Sequence, residues 1–274
     1  MGAGIAQVCA AGGIAVTVCD PSPEAVKRAQ KAIDTELKGG VDLKKITREQ
    51  EQEIRSRISY VSGMGECGDA DLVIEAVFER LDVKQELFVR LDAQLKPPAV
   101  LATNTSSLSV TAIAAKTRFP DRVCGLHFFN PPTRMKLVEV VSAYQTSSET
   151  ITRCANFVRE IGKEAARVQD TPGFVVNRCA RPFYGEALRC LSEGIADVKT
   201  IDQILREGGG FKMGAFELID LIGVDINYAA TRSIWEGYFH DPRFTPHIIQ
   251  RKMVEAGRLG RKTGRGFYEY PDAG

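Results

Sequence analysis

His127 and Glu139 are the two side chains of this sequence whose types and setting could move a proton. Glu139 lies inside the apolar run Leu137-Val138-Glu139-Val140-Val141, and a carboxylate in such a run needs a partner once one face is buried. His127 ends the run Val123-Cys124-Gly125-Leu126-His127, and Asn130-Pro131-Pro132 breaks the chain between the two. Adjacent runs joined by a turn could bring the imidazole and the carboxylate within hydrogen-bond reach. A carboxylate that holds one imidazole nitrogen leaves the other to take a proton, the step required when a hydroxyl-bearing carbon gives up hydride. Taken alone, the spacing favours the plainer alternative: a histidine satisfied by a backbone carbonyl, with Glu139 facing solvent on an edge strand.

Other polar groups stand where ligands bind. Ala102-Thr103-Asn104-Thr105-Ser106-Ser107 follows a strand-like run and precedes a helical one, and open parallel sheets bind ligands beyond the carboxyl ends of their strands. Ser and Asn also cap helices routinely. Glu79 and Lys84 follow the run 72–75 in the same way, and read equally as a solvated pair at a helix start. Residues 1–7, Met-Gly-Ala-Gly-Ile-Ala-Gln, look like the second half of a phosphate-binding Gly-x-Gly-x-x-Gly turn. A small-residue helix over 2–11, an apolar run over 14–19 and then Asp20 follow, an acid placed to hold a ribose hydroxyl. On that reading the first strand and two glycines would precede Met1. The phosphates would rest on Gly2 and the helix dipole, and dinucleotide affinity is expected to be weak or absent. An ordinary N-terminal tail fits the same letters.

Elements that could position these groups are legible in the patterning. Strand-like runs fall at 58–61, 72–75, 100–103, 123–127, 137–141 and 165–168. Helical spacing occupies 23–37 and 82–95, and the polar segment 38–57 adds a further helix, with a capping-box spelling at Thr47-Arg48-Glu49-Gln50. This alternation predicts an α/β fold, a Rossmann-like, doubly wound and mainly parallel sheet. The character changes at Gln169-Asp170-Thr171-Pro172-Gly173, after which helical patterns cover 175–192, 198–206, 216–238 and 247–255. We therefore expect a nucleotide-binding domain over 1–170 and a small all-helical domain over 171–274.

Composition removes several function classes. With 36 basic against 35 acidic residues the net charge is +1, so no field for nucleic acid exists. No stretch is long and apolar enough to span a membrane, and no secretory signal is visible, so a cytoplasmic protein is expected. Seven cysteines without a Cys-x-x-Cys pair, and three histidines, suit reduced structural thiols better than a metal site or disulfide framework.

The motifs in combination say more than each alone. Gly-Ala-Gly-Ile-Ala-Gln, Ala-Thr-Asn-Thr-Ser-Ser-Leu, Gly-Leu-His-Phe-Phe-Asn-Pro-Pro, Met-Lys-Leu-Val-Glu-Val-Val, Asp-Thr-Pro-Gly-Phe-Val-Val-Asn-Arg, Met-Gly-Ala-Phe-Glu-Leu-Ile-Asp and Gly-Arg-Lys-Thr-Gly-Arg-Gly-Phe-Tyr-Glu-Tyr occur in that order. The chain thereby resembles the 3-hydroxyacyl-CoA dehydrogenase family over essentially its whole length. That resemblance implies a Rossmann domain with a helical domain that forms a homodimer. It also implies NAD-dependent oxidation of an (S)-3-hydroxyacyl-CoA thioester to 3-oxoacyl-CoA, or the reverse, in fatty-acid or aromatic-acid breakdown.

By the same resemblance His127 is the catalytic base and Glu139 the acid that orients it. Ser106 would hydrogen-bond the substrate's 3-oxygen, and Asn177 would complete the site from the helical domain. Met1 and Gly2 match the phosphate loop and Asp20 the ribose contact, where its charge would repel a 2′-phosphate and favour NAD over NADP. Glu79, Lys84, Asn104 and again Ser106 match further cofactor contacts, as do Asn130 and Lys262. The segment 25–45, where the family receives CoA, names no individual contact. Arg134 places a cation beside the base that could suit a carboxylated acyl chain. Two alternatives stand against this reading: a CoA-independent hydroxy-acid dehydrogenase of the gulonate type, and an inactive dimeric CoA-binding homologue. The ending Gly-Arg-Lys-Thr-Gly-Arg-Gly-Phe-Tyr speaks for the acyl-CoA branch.

Overall fold

A computed structural model describes residues 1–67 and 69–271. It divides into two units, Met1–Asp170 and Thr171–Gly274. In the first, the β-branched runs form strands β1 (Val16–Cys19), β2 (Ile58–Val61), β3 (Leu72–Glu75), β4 (Val100–Thr103), β5 (Val123–Phe128), β6 (Leu137–Ser142) and β7 (Glu164–Gln169). Helices α1 (Gly2–Ala11), α2 (Pro23–Asp42), α3 (Arg48–Ser56), α4 (Leu81–Gln94), α5 (Val110–Ala114) and α6 (Ser148–Glu160) alternate with them.

The strands do not make one sheet. β3-β4-β5-β6-β7 form a five-stranded sheet in sequence order, while β1 and β2 pair with each other in a separate parallel ribbon. Among the described residues β1 and β3 are therefore each paired on one side only, and both are half-buried, whereas β4 and β5 are buried throughout. β3, β4 and β5 are parallel, β6 runs antiparallel to β5, and β7 is parallel to β6. The arrangement is thus mainly parallel with one antiparallel joint, which the short turn between β5 and β6 dictates.

Leu126, Val138 and Val140 from the central strands pack against Ile5 of α1 and Ile151 and Val158 of α6. Each such buried side chain contributes about 1.5–3 kcal/mol relative to an exposed one. Local chemistry sets the helix starts. The Ser22 hydroxyl accepts the Ala25 amide at 3.3 Å ahead of α2, and Pro23 occupies its first turn. Thr47 and Gln50 form the reciprocal capping box of α3, at 3.2 and 2.9 Å. α2 extends past residue 37 to Asp42, carrying Gly39 and Gly40 within it.

The second unit holds α7 (Val176–Ser192), α8 (Val198–Glu207), α9 (Ala215–Ile222), α10 (Val224–Gly237) and α11 (Ile248–Glu255). The apolar pattern over 216–238 reads as one helix, but the structure makes two. Gly223, at φ +105°, ends α9 and starts α10, a conformation that costs little only without a Cβ. The Gly-Arg-Lys-Thr-Gly-Arg-Gly-Phe-Tyr-Glu-Tyr ending closes this unit on Asp220 of α9. Its carboxylate accepts the Phe267 and Tyr268 amides at 3.0 and 2.9 Å and the Tyr270 hydroxyl at 3.1 Å. A Cβ on Gly266 would stand 2.1 Å from Asp220 Oδ1, so only glycine lets the backbone approach the carboxylate. Among the described residues no helix is long and apolar enough to cross a membrane.

Candidate active site

The antiparallel register of β5 and β6 sets His127 directly across from Glu139. His127 Nδ1 lies 2.7 Å from Glu139 Oε2, and both side chains are almost wholly buried, at 7% and 1% exposed. β6 is flanked by β5 and β7, so Glu139 is not on a solvent-facing edge, and the structural alternative for this pair gives way to the dyad. A buried carboxylate is stabilised by such a partner, and in return it fixes the imidazole's orientation. The Phe129 ring packs on the imidazole with centroids 4.5 Å apart.

A second polar cluster forms at the ends of β3 and β4. Glu79, in the loop after β3, points one oxygen at the 105–107 loop. That oxygen accepts the Thr105 hydroxyl, the Ser106 and Ser107 amides at 2.9 and 3.3 Å, and the Ser106 and Ser107 hydroxyls at 3.4 Å each. The other Glu79 oxygen lies 3.2 Å from Lys84 Nζ. Partial burial pushes the Glu79 carboxyl up, but the Thr105 hydroxyl, the Lys84 charge and the Ser106 amide outweigh it and hold the group below the ordinary carboxylate range. Glu79 and Lys84 are therefore not the solvated helix-start pair that their spacing allows. Lys84 is buried.

Asn104 couples the two clusters: its Oδ1 accepts the amide of Phe128, the residue after His127, at 2.8 Å. That bond ties the end of β4 to the end of β5, so the loop carrying Ser106 and the strand carrying His127 are fixed to each other. At the start of α1, a Cβ on Gly2 would lie 3.7 Å from Ala76, directly after β3. Met1 is the N-cap residue and provides no side-chain cap. The first-turn amides of α1 are thus available to an anion beside the β3–Glu79 loop. Asp20 follows β1, with one oxygen accepting the Ser22 amide at 2.9 Å. Asn130 is exposed in the turn after β5.

Two predicted site residues belong to the second unit. Asn177 lies in the first turn of α7, and the Lys262 ammonium is ion-paired with Asp225 of α10 at 2.7 Å. Cys124 and Cys154 stand 3.4 Å apart, and the contact with Cys154, followed by burial, holds the Cys124 thiol well above its ordinary range. Among the described residues no group of three or more His, Cys, Asp or Glu could hold a metal ion.

Sequence reasoning missed the residues beneath these side chains. Glu75, Thr103 and Thr105 are buried and hydrogen-bonded around Lys84 and Glu79. The available signal was a charge closing the apolar strand 72–75. In the sequence Asp170 marks only the change of character at 169–173. It accepts the Thr111 amide at 2.7 Å and the Ser109 hydroxyl at 3.0 Å, anchoring α5.

Residues 1–171 match the family model of the 3-hydroxyacyl-CoA dehydrogenase NAD binding domain, and residues 173–270 match that of the 3-hydroxyacyl-CoA dehydrogenase C-terminal domain. The chain is 46% identical over 270 residues to the 3-hydroxyadipyl-CoA dehydrogenase of Escherichia coli K12, covering 98% of this chain but 57% of that protein. It is 40% identical over 272 residues to a probable 3-hydroxybutyryl-CoA dehydrogenase of Bacillus subtilis, covering 99% of this chain and 94% of the relative. The crystal structure of (S)-3-hydroxybutyryl-CoA dehydrogenase from Ralstonia eutropha superposes with a TM-score of 0.95 at 37% identity, covering 99% and 96% of the two chains. The dyad in register, the strand-end carboxylate cluster and these matches lead to one conclusion: this chain belongs to the 3-hydroxyacyl-CoA dehydrogenase family.

Proposed function

We propose that this protein interconverts (S)-3-hydroxyacyl-CoA and 3-oxoacyl-CoA thioesters using NAD. The observation that carries the reading is the buried His127–Glu139 pair, at 2.7 Å in strand register. In the oxidative direction His127 Nε2 takes the 3-hydroxyl proton as C3 loses hydride. Glu139, on Nδ1, offsets the positive charge that develops on the ring. Ser106, held by Glu79 through its amide at 2.9 Å, turns its hydroxyl from the long 3.4 Å contact with Glu79 to donate a hydrogen bond to the substrate's 3-oxygen and keep it aligned.

NAD, when bound, supplies the hydride acceptor. The residues at the strand ends suit it: the uncapped first-turn amides of α1 would hold its diphosphate, and Asp20 would accept from ribose hydroxyls. Glu79 and Lys84 supply the polar lining next to Ser106. Asn104 fixes the cofactor-side loop, and Asn130 is assigned a cofactor hydrogen bond. We assign Asn177 a hydrogen bond to the substrate and Lys262 one to the cofactor. The 1–170 segment is the nucleotide-binding domain, and 171–274 carries the contacts of a homodimer, working in the cytoplasm.

Two relatives are named for a four-carbon and for a carboxylated six-carbon acyl group, and both classes are assigned here as substrates. The test measures NADH oxidation with acetoacetyl-CoA, with 3-oxoadipyl-CoA, and with CoA-free acetoacetate. Turnover of the thioesters but not of the free acid is expected. Equal turnover of the free acid would point to the gulonate-type alternative, and thioester binding without turnover to the inactive homologue.

A further inference from the structure

Glu75, the last residue of β3, is a buried charge with no part in the proton transfer. Its side chain is fully enclosed, and Oε1 lies 2.6 Å from Lys84 Nζ and accepts the Val77 amide at 2.7 Å. Oε2 accepts the Thr103 hydroxyl at 2.7 Å, from the end of β4. Lys84 is itself 1% exposed and touches a second carboxylate, Glu79 Oε2, at 3.2 Å. Three charged groups therefore stand in a row, Glu75, Lys84 and Glu79. Only the last reaches the surface, where it holds the Ser106 and Ser107 amides.

A buried ion pair is rarely the most stable filling for its space, since apolar residues of similar volume usually serve as well. What this row does, and an apolar filling would not, is fix a position and a charge. Lysine carries a point charge on a flexible stem, and Glu75 pins that charge from the inside. Glu75 gives the Lys84 ammonium a carboxylate at 2.6 Å, so Glu79, at the longer 3.2 Å, is left to hold the serine amides. Without Glu75, Lys84 would have Glu79 as its remaining counter-charge in the row. The carboxylate would be drawn to the ammonium, away from the serine amides.

We propose that Glu75 is a positioning residue for the cofactor side of the site, acting through Lys84 to hold Glu79 and, with it, the Ser106 loop. The inference rests on the reading of these strand ends as an NAD site, and its test is built to separate the two. Amide hydrogen exchange of residues 105–107 is measured in the full chain without ligand, for wild type, Glu75→Gln and the milder Thr103→Val. NADH affinity and kcat for acetoacetyl-CoA reduction are measured alongside.

In Glu75→Gln the Ser106 and Ser107 amides are expected to exchange about tenfold faster, the scale of one lost charge-assisted hydrogen bond, while β4 and β5 keep their protection. The Kd for NADH should rise about tenfold, and kcat at saturating NADH should fall as well, because the Ser106 hydroxyl that aligns the substrate's 3-oxygen rides on the loosened loop, even though His127 and Glu139 are untouched. Thr103→Val should move both quantities in the same direction by less. Unchanged exchange at 106 and 107 in Glu75→Gln, or an increase spread equally over β4 and β5, would overturn the proposal. A wild-type chain that binds no NADH would instead refute the cofactor reading, and the exchange comparison would still decide the role of Glu75.

Discussion

At the scale of residues, the site is two carboxylates with different tasks. Glu139 is sealed in the sheet and serves one imidazole, whereas Glu79 is partly open and gathers a loop through at least three hydroxyl and amide donors. The Glu79 carboxyl lies below its ordinary value of 4.5 in the fold, despite the opposing push of burial. The folded value being depressed, the stabilisation is complete above pH 4.5 and is lost as pH falls through the lower folded value. Protection factors of the Ser106 and Ser107 amides should therefore be flat from neutral pH to about 5 and fall only in more acid solution. A fall already complete at pH 6 would mean that Glu79 is not the group holding the loop. The types and spacing of His127 and Glu139 were legible in the sequence. Their contact was not, because it depends on register, and a slip of one residue would turn the two side chains to opposite faces.

At the scale of elements, the strand runs at 58–61, 72–75 and 100–103 and the Thr47 capping box appear in the structure where the pattern puts them. These signals are local, so sequence carries them fully. The short α5 and the full length of α2 depend on packing and on tolerated glycines, which single-sequence periodicity does not register. The break at Gly223 was hidden because apolar spacing continues across it. An alanine there would take an unfavourable φ, and its Cβ would meet Asp225 Oδ1 at 3.0 Å and Lys262 Nζ at 3.3 Å. Gly223→Ala should cost about 1–3 kcal/mol in urea unfolding. Stability equal to wild type would show that the α9–α10 junction carries no strain for a side chain.

At the scale of the whole molecule, the second unit exposes Ile204 on α8, Leu221 on α9 and Ile226 on α10, large apolar side chains of the kind that the proposed homodimer would cover. Sedimentation at micromolar concentration should give twice the 30.0 kDa chain mass, and Ile226→Glu should shift it to the monomer. A wild-type monomer at that concentration would remove the homodimer from this account. The most direct test of the central claim is the steady-state rate of NADH oxidation with acetoacetyl-CoA for wild type, His127→Ala and Glu139→Gln at saturating NADH. His127→Ala should lower kcat by about 10²–10⁴-fold with acyl-CoA affinity nearly unchanged, since in this direction the imidazole gives the 3-oxygen a proton that moves only in the transition state. Glu139→Gln should lower kcat less and keep the fold, because the amide still hydrogen-bonds Nδ1 but does not offset the ring's charge. A kcat unchanged in both variants would contradict the assignment of His127 and Glu139 as the proton-transfer pair.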